Sequence, residues 1–305
     1  MTTPSAQPAS ALGQAAGLPR NATLRTSRIG ICATLYALTL RQHLHGKRWV
    51  ALALLFLIPA GLASLIRLTS PDVPSLFLEF LLSWILIPQA LLPLVALLYA
   101  SGIVQDEQEE QTITYLLIRP IPKWLMYAVK MFATWTTTVL LVIGLTVLTF
   151  AAIYVRSSIE LAVVSYRCLC ACAILSLAVV AYCSLFGLMS LLTKRILVVG
   201  VLYTAIVEGF LATFPLSLRM VTIVYYTRLI AYRTLDFDVT WPRGRQDDVA
   251  ATTWLLDISA DPTLSEHPQR STCVLVLLLA SVVCTVLAGW LCSQREFHVK
   301  TPEKE

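Results

Sequence analysis

Charged side chains are scarce in this chain. Only 13% of its 305 residues are charged and 57% are hydrophobic, and its mean hydropathy is +0.73. A soluble domain carries about a quarter charged residues, so this composition excludes a soluble globular protein. Apolar runs of about 20 residues recur along the chain, and each is long enough to cross a hydrocarbon core as a helix. The sequence therefore predicts an all-α polytopic membrane protein.

The motifs of several soluble chemistries are missing as well. No G-x-x-x-x-G-K-[ST] phosphate-binding loop occurs, so ATP hydrolysis is not predicted for this chain. The cysteines form no C-x-x-C pair, and the spacing of Cys168, Cys170 and Cys172 is unlike that of a zinc site. They are interpreted as small buried apolar side chains, and no metal or other cofactor is predicted. Much of the basic excess lies near the predicted membrane faces, so membrane lipid rather than nucleic acid is the expected contact.

The apolar runs predict six transmembrane helices, at residues 49–68, 76–103, 124–155, 166–192, 196–218 and 272–292. An amphipathic stretch before the first span is expected to lie as a helix in the cytoplasmic interface. Basic residues flank the first span and form the turn at Lys194 and Arg195, which favours a cytoplasmic location for both termini. Residues 1–28 lack the apolar core of a signal peptide and are predicted to be a disordered cytoplasmic tail; residues 293–305 form a second tail.

The largest predicted external segment covers residues 219–271. It opens with RMVTIVYYTRLIAYR, an aromatic and basic stretch that suits an interfacial helix. Acidic residues dominate the remainder, which predicts a solvated loop.

The segment between the second and third predicted spans, residues 104–122, is also acidic. A helix that begins near Asp106 would place four acids in its first turn, where they complement the helix dipole. An apolar stripe follows, and two prolines prevent continuation into the third span: Ile113, Leu116, Leu117, Pro120 and Pro122. The pattern predicts a short amphipathic helix under the membrane, with its charged end facing the cytosol.

This segment resembles the cytoplasmic coupling segment of type 2 ABC transporter permeases, the ABC-2 family. The family pattern is roughly Glu-Arg-Glu-x-Gly-Thr, then an apolar run, then Pro-x-x-Arg or Pro-x-x-Lys. Here the corresponding residues are Glu107-Gln108-Glu109-Glu110-Gln111-Thr112, Tyr115-Leu116-Leu117 and Pro120-Ile121-Pro122-Lys123, with Lys130 further on. Glutamines replace the usual arginine and glycine. The resemblance extends over residues 29–292 as a six-helix transmembrane domain, including the entry helix and the external segment.

The resemblance implies a permease subunit of an ABC exporter in a prokaryotic plasma or inner membrane. A separate ATPase, which holds ATP and Mg, is expected to dock on the coupling segment at Glu107, Glu109, Glu110, Thr112, Tyr115, Leu116 and Pro120. Two ATPase subunits and two permease chains are expected in one transporter. A homodimer of this chain is the simpler arrangement, and a related second permease is the alternative.

Glu208 and Pro215 lie within the fifth predicted span. In related permeases this region is a broken or re-entrant helix near the outer mouth, which the resemblance implies here. An acid inside a span is costly and usually faces a cavity or a partner. Glu208 is interpreted either as a pathway or dimer residue, or as an acceptor for backbone freed where the helix breaks near Pro215. Glu79, near the outer end of its span, is expected to reach water.

Two other function classes remain as alternatives. An ion-coupled secondary carrier is disfavoured because no convincing internal repeat occurs and the spans hold few charges. An intramembrane protease of the CAAX type would need an arginine four positions after paired glutamates, where Glu109-Glu110 is followed by Thr114. Such a protease would also need histidines within spans, but all the histidines lie outside them. The sequence does not indicate the transported substrate.

Overall fold

The computed structural model describes residues 28–45, 47–70, 72–109, 122–155, 157, 159–193, 195–213, 217–241, 244–254 and 267–294. The predicted N-terminal tail up to residue 27, residues 110–121, Pro215 and residues 295–305 lie outside this description.

The described ranges form an all-α architecture with one small β-hairpin. The first half contains α1 (Arg28–His45), α2 (Lys47–Thr69), α3 (Ser75–Glu79), a π-helical segment (Phe80–Leu91), α4 (Leu92–Glu109) and α5 (Lys123–Tyr154). The second half begins with α6 (Leu161–Leu192), α7 (Ile196–Tyr203), a second π-helical segment (Thr204–Phe210) and the 3-10 turns Leu211–Thr213 and Ser217–Val221. It ends with α8 (Ile223–Tyr232), β1 (Asp238–Thr240), β2 (Gln246–Asp248), α9 (Val249–Thr253) and α10 (Arg270–Gln294).

Four of the described helices are long and apolar enough to cross a membrane, judged by length and composition. They are Ser75–Ile103, Lys123–Tyr154, Leu161–Leu192 and Arg270–Gln294, at the second, third, fourth and sixth predicted spans. Shorter apolar helices, Leu57–Thr69 and Ile196–Phe210, lie within the first and fifth predicted spans. The class of all-α polytopic membrane protein is confirmed, whereas the number of six spans stays a prediction.

Helix α6 is the centre of the bundle. It packs against α4, α5 and α10, and its side chains between Ala178 and Phe186 contribute heavily to the largest apolar core. Helix α7 approaches α4 closely at Gly200, where an added Cβ would lie 2.2 Å from Leu97 Cδ1. Helix α10 instead exposes a broad apolar face, including Leu278, which suits contact with lipid or with another chain.

The second span changes its winding around Pro88. Proline has no amide hydrogen, and its ring would collide with the carbonyl four residues earlier in a regular α-helix. The helix is widened to π geometry from Phe80 to Leu91, which includes Pro88, and returns to α geometry at Leu92. Wide turns of this kind let a helix pass a proline without ending.

The external segment is more ordered than the sequence predicts. Strands β1 and β2 pair antiparallel, and the Asp248 carboxylate at the end of β2 accepts from the backbone amides of Ala250 and Ala251, 3.0 and 2.9 Å away. The Tyr232 hydroxyl donates to the Asp248 carboxylate over 2.7 Å. Burial is the main cause that raises the pKa of Tyr232, and this hydrogen bond is the second. The prediction of a solvated loop is therefore wrong for residues 236–241 and 244–254.

Helix α8 is not an interfacial helix on the surface, and that prediction is wrong too. One face packs against α6 and α10, with Val224, Leu229 and Ile230 buried. The hairpin then closes over the amino-terminal end of the second predicted span through an aromatic cluster of Phe80, Trp84, Phe237 and Trp254, whose paired ring centroids lie between 5.2 and 6.0 Å apart. Burial of this aromatic surface holds the external segment on the bundle.

An ion pair lies beneath this cluster. Glu79 is fully buried, so the expectation that it reaches water is wrong. Arg167 of α6 donates to both carboxylate oxygens, with Nε–Oε2 and Nη2–Oε1 distances of 2.9 Å, and Tyr154 also donates to Oε2. The same guanidinium donates through Nη1 to the Asp236 carbonyl oxygen over 3.0 Å. One buried arginine therefore connects the second span, the fourth span and the chain leading into the hairpin.

We predict that Arg167→Met lowers the free energy of unfolding by about 3–5 kcal/mol, because it leaves the Glu79 carboxylate buried without its cation. The double variant Glu79→Gln, Arg167→Met should recover part of this loss. Arg245→Met is the matched control, since Arg245 pairs with Asp247 at the surface with 77% of its side chain exposed, and its effect should stay within about 1 kcal/mol. Unfolding by SDS titration in mixed micelles measures all three, and equal losses for Arg167→Met and Arg245→Met would contradict the assignment.

Candidate functional site

The predicted coupling segment begins on a long helix. Helix α4 contains Glu107 and Glu109 in its last described turn, and the structure resumes at Pro122, one residue before α5. The side chains of Glu107 and Glu109 lie outside the description, as do the residues Glu110, Thr112, Tyr115, Leu116 and Pro120. Their predicted contacts with an ATPase stay predictions.

The prediction of a helix that begins near Asp106 is wrong. The helical run that starts at Ser75 continues without interruption through Asp106 to Glu109. Pro88 and Pro93 both lie inside this run, and the helix continues past each of them. The acids therefore lie in the last described turn of α4 rather than in the first turn of a separate helix.

Glu208 lies at the second π-helical segment and is fully buried. Its Oε1 accepts from the Ile223 amide over 3.0 Å and from the Tyr203 hydroxyl over 3.2 Å. Its Oε2 accepts from the Val224 amide over 3.0 Å. These two amides belong to the first turn of α8, where a helix leaves its amide hydrogens without partners in the chain. The carboxylate thus occupies the amino end of α8 and joins it to the fifth predicted span.

Two further polar groups surround this carboxylate. Arg228, one turn into α8 from Val224, interacts electrostatically with Glu208 and Tyr182. The Tyr182 hydroxyl lies near the Glu208 carboxylate, but the two groups do not form a hydrogen bond. Arg228 Nε has no hydrogen-bond partner among the described residues. The cluster is polar, enclosed and built on three helices. The Glu208 carboxylate has the geometry of an acceptor for backbone amides at the start of a helix. A role of Glu208 in a pathway stays a prediction.

The described residues bring no three His, Cys, Asp or Glu side chains together as a metal site would require. The eight cysteines are all free thiols, and half of them are buried: Cys172, Cys183, Cys273 and Cys292. The buried thiols contribute to the packing of the bundle.

Sequence reasoning missed the partners of the buried acids. Arg167 and Arg228 each lie near or within an apolar run, and a cation in such a run is itself a signal of a buried pair. Lys130 gives the same signal in the third span and is 4% exposed. The sequence does not show which acid or carbonyl each cation meets, because the partners lie far away along the chain: Glu79 is 88 residues from Arg167.

A family comparison agrees with this architecture. A helical bundle with four helices long and apolar enough to cross a membrane is typical of a polytopic membrane protein. Residues 31–295 match the model of the ABC-2 family transporter protein. The match covers most of the chain, so the chain belongs to this family, and the predicted resemblance is confirmed. No curated protein matches the chain.

Membership makes the chain a membrane permease component of an ABC transporter. In this family the membrane component is a transport subunit rather than an enzyme, and it associates with ATP-binding subunits.

We predict that Glu208→Ala lowers the free energy of unfolding by about 3 kcal/mol, because buried donors left without an acceptor cost about 1–3 kcal/mol each. Glu208→Gln keeps one acceptor oxygen and should lose less. Hydrogen exchange at the Ile223 and Val224 amides provides the specific measurement, since these amides should lose protection in the alanine variant. Glu160→Ala is the control because Glu160 is exposed and makes no side-chain cap bond at the start of α6. Retained protection of both amides in Glu208→Ala would contradict the cap.

Proposed function

We propose that this chain is the permease subunit of an ABC exporter in a prokaryotic plasma or inner membrane. A separate ATPase docks on the cytoplasmic coupling segment, residues 104–122, and supplies the energy through ATP and Mg bound in its own chain. Two ATPase subunits act with two permease chains, the simpler arrangement being a homodimer of this chain.

The continuous helix that runs from the outer aromatic cluster to the acidic segment carries this proposal. The run from Ser75 to Glu109 is about 50 Å long at about 1.5 Å per residue, against a hydrocarbon core of about 30 Å. Its outer end holds Glu79 beneath the hairpin, so its other end extends beyond the opposite membrane face. A force applied at Glu109 would reach the external face through one rigid element.

The packing of α5 favours a pathway between two chains rather than inside one. Thr137, Thr138 and Thr146 are buried, and each hydroxyl donates to the carbonyl oxygen four residues earlier. Hydroxyls bonded in this way satisfy their donors within the helix instead of offering them to a cargo. The core around α5 and α6 is filled by apolar side chains. A translocation path then needs a surface outside this core, which a second permease chain would complete.

The coupling role predicts loss of ATPase binding in the double variant Glu107→Lys, Glu109→Lys. Stability should change by no more than about 0.5 kcal/mol, because these acids are expected to face water in the permease alone. Binding should fall strongly, since single interface residues contribute about 2 kcal/mol or more when they are central to a contact. Co-purification with each candidate ATP-binding subunit of the source organism, alongside thermal unfolding of the permease alone, measures both quantities.

Asp236→Lys, Asp238→Lys is the matched control because it makes the same charge change on the external side, where both side chains are exposed. It should retain ATPase binding. Normal binding and normal transport by the Glu107→Lys, Glu109→Lys variant would show that the segment is no coupling site.

Six spans with both termini in the cytoplasm form the topology that this function requires. In a background without native cysteines, Asp247→Cys should react with an impermeant thiol reagent added outside intact cells, and Glu303→Cys should be protected. The hairpin location of Asp247, at 31% side-chain exposure, makes it accessible to such a reagent. Labelling of residue 303 from outside, or protection of residue 247, would contradict the topology.

A further inference from the structure

A buried lysine joins the two helices that flank the coupling segment. Lys130 lies on α5, two turns beyond its start, and its side chain is almost fully enclosed. Its Nζ donates to the Ile103 carbonyl oxygen of α4 over 3.3 Å. Lysine is almost never fully buried unless its ammonium group is paired, so this contact is a specific feature of the fold.

The entry helix α1 meets the same place. His43 Nε2 lies 3.3 Å from Thr134 Oγ1, and the Thr134 hydroxyl donates to the Lys130 carbonyl oxygen over 3.1 Å. The distance between the histidine nitrogen and the Thr134 hydroxyl is that of a hydrogen bond. The His43 ring also meets the buried Tyr99 ring of α4 edge-on, with centroids 5.0 Å apart. We refer to His43, Tyr99, Ile103, Lys130 and Thr134 as the cytoplasmic joint.

Lys130, on α5, brings a positive charge close to α4. Its acceptor, the Ile103 carbonyl oxygen, lies six residues before Glu109, the last described residue of α4. The sequence places the acids Asp106, Glu107 and Glu109 in that short interval. A cation here offsets their negative charge, which an apolar side chain of the same length could not do.

We propose that Lys130 is a positioning residue that makes α4 and α5 respond together when the coupling segment is moved. The lysine fixes the spacing of the two helices at the base of the segment, and His43 brings α1 into the same unit through Thr134. This inference rests on the proposed function, because it assigns a transmitting role to a site at which an ATPase docks.

The first experiment measures the spacing of α4 and α5 in the permease alone. Spin labels at Gln108→Cys and Ala128→Cys, in a cysteine-free chain reconstituted in lipid nanodiscs, report the distance across the base of the coupling segment. We expect one narrow distribution for the parent chain and for Lys130→Arg, and a broadened or shifted distribution for Lys130→Met. Arg195→Met is the control, because Arg195 is an exposed cation at another helix junction on the same predicted membrane face, and its distribution should match the parent.

The second experiment measures coupling in the complex. Lys130→Met should still co-purify with the ATP-binding subunit, while ATP hydrolysis by the complex falls about tenfold, a change of about 1.4 kcal/mol in the barrier. Lys130→Arg should restore most of this rate. The melting temperature of Lys130→Met is measured alongside, because losing the ammonium group also removes its bond to the Ile103 carbonyl oxygen.

An unchanged distance distribution in Lys130→Met overturns the inference. A lower melting temperature does not rescue it, because a loss of stability with unchanged helix spacing would show that the lysine is only structural. Parent-like ATP hydrolysis by the Lys130→Met complex overturns it as well. Failure of the proposed function is distinguishable, because the parent chain itself would then bind no ATP-binding subunit.

Discussion

Every backbone amide and carbonyl group inside a bilayer must find a partner within the protein, because hydrocarbon offers none. Regular helices meet this requirement along their length but not at their ends or at irregular turns. At two places outside regular helix interiors, a long polar side chain comes from another element: Glu208 accepts from the Ile223 amide, and Arg167 donates to the Asp236 carbonyl oxygen. Lys130 makes a similar contact from α5 to the Ile103 carbonyl oxygen within α4.

These side chains also decide how the elements are joined. Each is buried, and each reaches from one element to backbone on another, so moving the elements apart would leave both the side chain and a backbone group without partners. Breaking such a contact costs more than keeping it, even though burying the polar group is itself costly, and this favours one arrangement over its neighbours. Glu208 fixes where α8 begins, and Arg167 fixes where the hairpin is attached.

The sequence was sufficient for properties that depend on the chain locally. Hydropathy placed the long apolar helices within a few residues of their ends, and the acidic segment with its prolines led to the correct family. The sequence was insufficient where partners are distant along the chain. From the sequence Glu79 was expected to reach water, because its partner Arg167 lies 88 residues later. The amphipathic pattern of α8 gave the wrong environment for a similar reason, because an apolar face can bury against α6 as well as against lipid.

The error at Asp106 is the most informative one. Acids in a first helical turn are favoured by the helix dipole, which would explain this composition without any partner. The structure places Asp106, Glu107 and Glu109 in the last described turn of α4, so that explanation is removed. A cationic contact offers another physical reason for so much negative charge. Lys130 brings one cation to the base of this segment, at the Ile103 carbonyl oxygen. A basic surface on a partner would supply more, and that is the contact on which the proposed coupling depends.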